Sequence, residues 1–286
     1  MNWFSTTWTW LDGKWLEGNP PIMGPRTHAS WLGSSVFDGA RAFEGVMPDI
    51  EAHARRVNES AAKLGLKATM EADEIVALAR EGARRFAGGS ALYIKPMYWG
   101  EAEGPGTISA DPESTRFCLC LFEAAMPEPS GFSLGVSRFR RPTLETMPTD
   151  VKTGALYPNN ARAMKDAQAR GFGNALVLDM LGNVAETATS NIFIVKEGAV
   201  VSPAPNGTFL NGITRQRTIA LLREEGYTVL EQRVTLEDVL GADEVFSTGN
   251  YGKVQPCNRV EDRTFTIGPV FTKARELYWA FAHDKR

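Results

Sequence analysis

Apolar and polar residues alternate from the start of the chain. Trp8 and Trp10 precede Asp12-Gly13, and Lys14-Trp15-Leu16 follows it. This predicts a β-hairpin, because Asp-Gly supplies the positive φ values of a type I′ turn. A second extended run, 34–43, breaks at Glu44-Gly45. The period then changes. Over 50–66 apolar residues recur at helical spacing, with Ile50, Val57, Ala61 and Leu64 on the inward face, and 71–86 repeats the pattern until Gly88-Gly89 stops it. Strands are predicted at 91–99 and 116–123, where Cys118 and Cys120 fall on one strand face.

Met126-Pro127-Glu128-Pro129-Ser130-Gly131 is rich in residues that suit an extended linker. It divides the chain into a small N-terminal α+β domain (1–125), a linker (126–131) and a larger C-terminal domain (132–286). Beyond the linker, strands predicted at 132–138, 175–179, 191–195 and 244–247 interleave with helices at 159–170, 214–225 and 269–283. Asp179-Met180-Leu181-Gly182-Asn183 and Lys196-Glu197-Gly198 read as tight turns. No fixed-period repeat is visible, so the fold class is mixed α+β in two domains.

Composition narrows the partners. With 286 residues, 43% hydrophobic and 23% charged, and a net charge of -3, the chain has ample material for two cores and no basic excess to neutralise nucleic acid. No stretch approaches the length of a membrane span, and the start lacks the pattern of a secretory signal, so the expectation is a cytoplasmic protein. The three cysteines, Cys118, Cys120 and Cys257, read as buried reduced thiols. Three scattered histidines, with no HExxH and no paired CxxC, give no metal site.

Chemistry enters with a lysine and a glutamate. Lys152 lies in Val151-Lys152-Thr153-Gly154-Ala155-Leu156-Tyr157, and Glu186 follows 34 residues later in Gly182-Asn183-Val184-Ala185-Glu186-Thr187-Ala188-Thr189-Ser190-Asn191-Ile192-Phe193. An enzyme holding an aldehyde cofactor on an amine needs a lysine that can release it to an incoming amine and then carry a proton. A carboxylate that keeps a heteroaromatic nitrogen protonated makes the ring an electron sink. A lone lysine is ordinarily a solvated surface residue, which would leave a binding or scaffold protein. Together, however, the two motifs resemble the signature of the fold-type IV pyridoxal-phosphate enzymes, the family of branched-chain and D-amino-acid aminotransferases.

That resemblance implies a fold like that of D-amino-acid aminotransferase, with pyridoxal 5′-phosphate held as a Schiff base on Lys152. It places Glu186 at the pyridine nitrogen and the Tyr157 hydroxyl at the phenolic oxygen. A phosphate dianion needs helix N-terminal amides and a cation. The resemblance assigns Gly212, Ile213 and Thr214 of Leu210-Asn211-Gly212-Ile213-Thr214-Arg215 to that cup, completed by Arg56 of His53-Ala54-Arg55-Arg56. The loop Thr248-Gly249-Asn250-Tyr251-Gly252-Lys253 departs from the family pattern of serine, glycine, threonine and small residues. Gly249 and Asn250 fall at its cofactor-binding positions, with Asn250 in place of a threonine donor. Tyr251 is bulkier than the alanine it replaces and narrows the pocket.

The likeness runs from Thr27-His28-Ala29 and Ser35-Val36-Phe37-Asp38-Gly39 through the Gly249 loop. Tyr93, in Tyr93-Ile94-Lys95-Pro96, corresponds to a tyrosine that contacts the substrate α-carboxylate, and Phe37 to an aromatic wall of the side-chain pocket. Bacterial branched-chain enzymes bind the glutamate side-chain carboxylate with an arginine and two tyrosines. Here Lys95 stands for the arginine, Leu32 for the first tyrosine, and nothing near Glu123-Ala124-Ala125-Met126 replaces the second. A point-charge ammonium does not reproduce a bidentate guanidinium. The implied activity is ping-pong transfer of an amino group between a hydrophobic, branched-chain-like L-amino acid and a 2-oxo acid. D-amino-acid or (R)-amine transamination and an aminodeoxychorismate-type lyase reaction use the same Lys152 and Glu186 and stay open. Family members are homodimers or assemblies of dimers, so a homodimer or higher homo-oligomer is expected.

Overall fold

The computed structural model describes residues 3–284. They form two compact units. One ends at Met126 and takes back Val151–Ala155; the other holds Pro127–Asp150 and Leu156–Asp284. Among the described residues the chain therefore returns to its first unit once, for five residues, after beginning its second.

In the first unit, β1 (Thr7–Leu11) and β2 (Lys14–Glu17) form the predicted hairpin, with Asp12 at φ 49° and Gly13 at φ 80° in its turn. After α1 (His28–Leu32) come β3 (Ser35–Phe37) and β4 (Ala40–Ala42), both antiparallel to β5 (Leu92–Gly100). The sequence suggests one extended run here; the structure breaks it at Asp38-Gly39, where the fully buried Asp38 carboxylate meets two basic side chains. Helix α2 (Ile50–Lys63) buries Ile50, Ala54, Val57 and Ala61, a face set by 3.6-residue periodicity. Helix α3 (Ala72–Ala83) starts with a capping box between Glu71 and Glu74. With β6 (Thr115–Glu123) the strand order is β2-β1-β6-β5-β3, with β4 also on β5. Ile94, Leu119 and Leu121 join Val57, Ile75 and Ala79 in one core. Alternation along β5 turns Tyr93 and Lys95 to the opposite sheet face from Ile94. Cys118 and Cys120 on β6 are buried and free, and burial pushes the Cys118 thiol up to about 12.

The second unit runs β7 (Phe132–Arg140), α4 (Tyr157–Gln168), β8 (Asn174–Leu178), β9 (Val184–Thr187), β10 (Asn191–Lys196) and β11 (Ala199–Pro203). It continues with α5 (Ile213–Glu224), β12 (Val229–Gln232), α6 (Leu236–Leu240), β13 (Glu244–Gly249), β14 (Lys253–Val260), β15 (Arg263–Thr264) and α7 (Pro269–His283). The sheet order is β12-β11-β10-β13-β14-β7-β8-β9, with β15 on β14. Strand β10 is apolar on both faces because both are covered. Ile192 and Ile194 pack with Val239 and Val245, while Phe193 stacks on Phe246 at 5.0 Å beside Phe271 and Tyr278. Among the described residues no helix is long and apolar enough to cross a membrane, and no group of three or more His, Cys, Asp or Glu could hold a metal ion.

Candidate active site

In the first unit, the segment 151–155 is strapped to β3. Phe37 donates its N–H to the Lys152 carbonyl at 3.0 Å, and the Lys152 N–H reaches Ser60 Oγ on α2 at 3.3 Å. Thr153 is fully buried, donates its hydroxyl to the Ser35 carbonyl at 2.8 Å and bridges to Val36. The lysine backbone is thus fixed on both sides. Its Nζ lies 4.9 Å from the Phe37 ring centroid, an aromatic face that attracts a cation.

Asp38 follows Phe37 and accepts hydrogen bonds from His53 Nδ1 at 2.7 Å, Arg56 Nε at 2.6 Å and Arg56 Nη2 at 2.8 Å. Burial alone would raise this carboxyl. The neighbouring Arg56 and His53 outweigh it and hold Asp38 well below the ordinary carboxylate range. A guanidinium gripped by two of its nitrogens is fixed in direction as well as charge. Phe37 pairs with Met97 across β3 and β5, so Phe37, Lys95 and Tyr93 share one sheet face. Tyr93 stacks on Phe122 at 5.1 Å there.

In the second unit, Glu186 on β9 is 8% exposed. Arg141, directly after β7, places Nε 3.3 Å from Glu186 Oε1, and Asn191 Nδ2 lies 3.3 Å from Oε2. Arg141 is held in turn by the Thr208 carbonyl at 2.9 Å and Asn160 Oδ1 at 2.5 Å. A buried carboxylate persists only with such a counter-charge and donors. The same Asn191 side chain accepts the Gly212 N–H at 3.2 Å and donates to the Leu210 carbonyl at 3.1 Å. Gly212 is the N-cap of α5, and no side chain caps that helix. Its first amides have no carbonyl partners within the helix and suit an anion.

Pairing of β10 with β13 sets Asn191 opposite Thr248 and brings in the following loop. A Cβ on Gly249 would come 2.9 Å from Ser190 Cβ, so glycine permits that approach. Thr248 Oγ1 and Asn250 Nδ2 are buried with no hydrogen-bond partner among the described residues. Tyr251 stands 56% exposed beyond them, and Tyr157, 41% exposed, opens α4.

The structure therefore gathers Phe37, Arg56 and Lys152 in one unit, with Tyr93 and Lys95 on the Phe37 sheet face. It gathers Glu186, Gly212, Ile213, Thr214, Gly249 and Asn250 in the other. Sequence reasoning gave no role to Asp38, Arg141 or Asn191. Most of their partners lie 15 or more residues away, although Asn191 is only five from Glu186, and only the Asp38-Gly39 and Ser190-Asn191 motifs around them offered a signal. Arg215, next to the expected phosphate cup, is fully committed elsewhere: it binds Ser202, the Pro203 carbonyl, Asn211 and Glu231.

Residues 35–260 match the family model described as amino-transferase class IV. The chain belongs to that family and is a transaminase. It is 53% identical to a Brucella abortus aminotransferase solved bound to the co-factor PLP, with 97% of this chain and 99% of that one covered at a TM-score of 0.96. The branched-chain aminotransferase of the thermophilic archaeon Thermoproteus uzoniensis, solved with norvaline, matches at 27% identity and TM-score 0.89, over 98% and 96% of the two chains. Among curated relatives, the branched-chain-amino-acid aminotransferase of Pseudomonas aeruginosa is 31% identical over 96% of this chain and 93% of its own length.

The residues present fit a phosphorylated pyridine. Buried, unpartnered Thr248 Oγ1 and Asn250 Nδ2 stand near an uncapped helix start, and Asn191 joins that start to a buried carboxylate.

Proposed function

We propose that this transaminase uses pyridoxal 5′-phosphate to move the amino group between a branched-chain-like L-amino acid and a 2-oxo acid by a ping-pong mechanism. The observation that carries the cofactor assignment is the Asn191 side chain, which hydrogen-bonds both the Glu186 carboxylate and the amide that opens α5. An acid for a ring nitrogen and a cradle for an anion are thereby built as one piece. The names of the relatives support the substrate class.

When bound, pyridoxal phosphate supplies an electron sink for charge developing at the substrate α-carbon. Lys152 would be the amine that anchors the cofactor and afterwards carries the proton to and from that carbon. Glu186, with Arg141 as its counter-charge, would hold a proton at the pyridine nitrogen. Tyr157 would donate to the phenolic oxygen, and Arg56 with Gly212, Ile213 and Thr214 would bind the phosphate. Phe37 and Tyr93 line the substrate side, with Lys95, Asn250 and Tyr251 shaping what enters.

The direct test is Lys152→Ala. It is expected to abolish turnover and to leave no lysine adduct reducible by borohydride; full activity in this variant would overturn the mechanism. Valine, D-alanine and (R)-1-phenylethylamine assayed in parallel should give product from valine. Turnover of only D-alanine or the amine would move the substrate assignment to those relatives.

We further infer a cytoplasmic homodimer or higher homo-oligomer. Trp3, Phe4 and Trp31 stay exposed in the single chain and give apolar surface to bury. Sedimentation should show at least a dimer; one monomeric species would contradict it.

A further inference from the structure

Strand β14 opens on an unusual lysine. Lys253 is 1% exposed, and its φ of 60° lies in the left-handed region that residues other than glycine seldom adopt. Its Nζ donates to Asn250 Oδ1 at 2.9 Å and lies 5.8 Å from the Tyr278 ring centroid. An ammonium has donors and no acceptor, so it can bind only the oxygen of the amide. The Asn250 orientation is thereby settled, and Nδ2 becomes the end presented away from the lysine. That nitrogen is buried without a partner among the described residues, as is Thr248 Oγ1 two residues earlier, on β13. A fold that spends a buried charge and a strained backbone to aim one donor has a use for it.

We propose that Lys253 is a positioning residue which locks Asn250 as a one-way donor, aiming its Nδ2 at the ligand oxyanion that the family resemblance already sets against this loop. The inference rests on the transaminase reading above, which offers two such oxygens: the cofactor phosphate and the substrate α-carboxylate. The shared chemistry is an oxyanion accepting a fixed amide N–H, strengthened by the ammonium behind it. Asn250 departs from the threonine expected at this position, so the lysine that orients it belongs to the same local solution.

Asn250→Asp keeps the side-chain shape, can still pair with Lys253 and replaces the donor with a repelling carboxylate. Apoprotein is titrated with pyridoxal phosphate and with pyridoxal, and holoprotein with L-leucine and with isopentylamine, each followed by absorbance. If the oxyanion is phosphate, the variant weakens pyridoxal phosphate by about tenfold or more while pyridoxal is unmoved. If it is the α-carboxylate, L-leucine weakens by a similar factor and isopentylamine does not. Either result supports the proposal. No change in any ligand, or equal loss for all four, overturns it.

Lys253→Met should reproduce the same selective loss in part and add nothing in an Asn250→Leu background. Additive losses in that double variant would show that the lysine does not act through Asn250. Wild-type protein that takes up no pyridoxal phosphate would instead sink the cofactor assignment, so the two failures are distinct.

Discussion

Asp38 shows how much can depend on one carboxylate. It is buried, grips Arg56 with both oxygens and receives His53, and so decides where the guanidinium assigned to the phosphate is held. Its folded value lies below the unfolded value near about 3.9. The stabilisation from this carboxylate is therefore fully present above about pH 4 and is lost as pH falls toward the folded value. Asp38→Asn leaves basic groups buried without their counter-charge and is expected to cost about 3–5 kcal/mol at neutral pH. Denaturant unfolding of both proteins over a pH series should show that gap shrinking once pH drops below about 4; a gap independent of pH would mean that Asp38 stabilises by shape alone. The sequence pointed to Arg56 through its His-x-x-Arg pattern. It gave no means of seeing that an aspartate 18 residues earlier sets the geometry.

Among elements, the start of α5 is the most constrained. A Cβ on Gly212 would fall 2.3 Å from Asn191 Oδ1, so Gly212→Ala must push the asparagine off the amide, off Glu186, or both. The expected result is cofactor affinity reduced on the order of tenfold, from loss of hydrogen bonds to charged groups, with little change in helix content. Equilibrium titration with pyridoxal phosphate beside far-ultraviolet circular dichroism checks this, and unchanged affinity would remove Asn191 from the site. Elements with a long, clear period were readable: the 50–66 and 71–86 patterns became α2 and α3, and 269–283 became α7. Some short or punctuated ones were not. Strand β14 carries Pro256, which argues against a strand, yet it pairs on both sides. Strand β9, which carries Glu186, is four residues long and is defined by β8 rather than by its own pattern. The motifs that carry the proposed site residues could be read because each is a short local run; most of the bracing side chains could not, because bonds such as Asp38–Arg56, Arg141–Glu186 and Asn191–Gly212 join separate segments.

The whole molecule is threaded in a way that the linker at 126–131 conceals. Val151 belongs to the first unit's core, and Thr153 and Lys152 complete the hydrogen bonding of β3, although Pro127–Asp150 belong to the other unit. A fragment ending at Met126 lacks these partners, whereas one ending at Ala155 contains them. The shorter fragment should be the less stable of the two, by cooperative thermal unfolding or hydrogen-exchange protection of β3. Equal protection would show that the strap is dispensable. On a ribosome, the first unit still lacks the partners of β3 when its own strands and helices have emerged. It must wait for a further stretch of chain that belongs mostly to its neighbour, so the residue assigned to the chemistry also sets the earliest moment at which the N-terminal unit can finish folding.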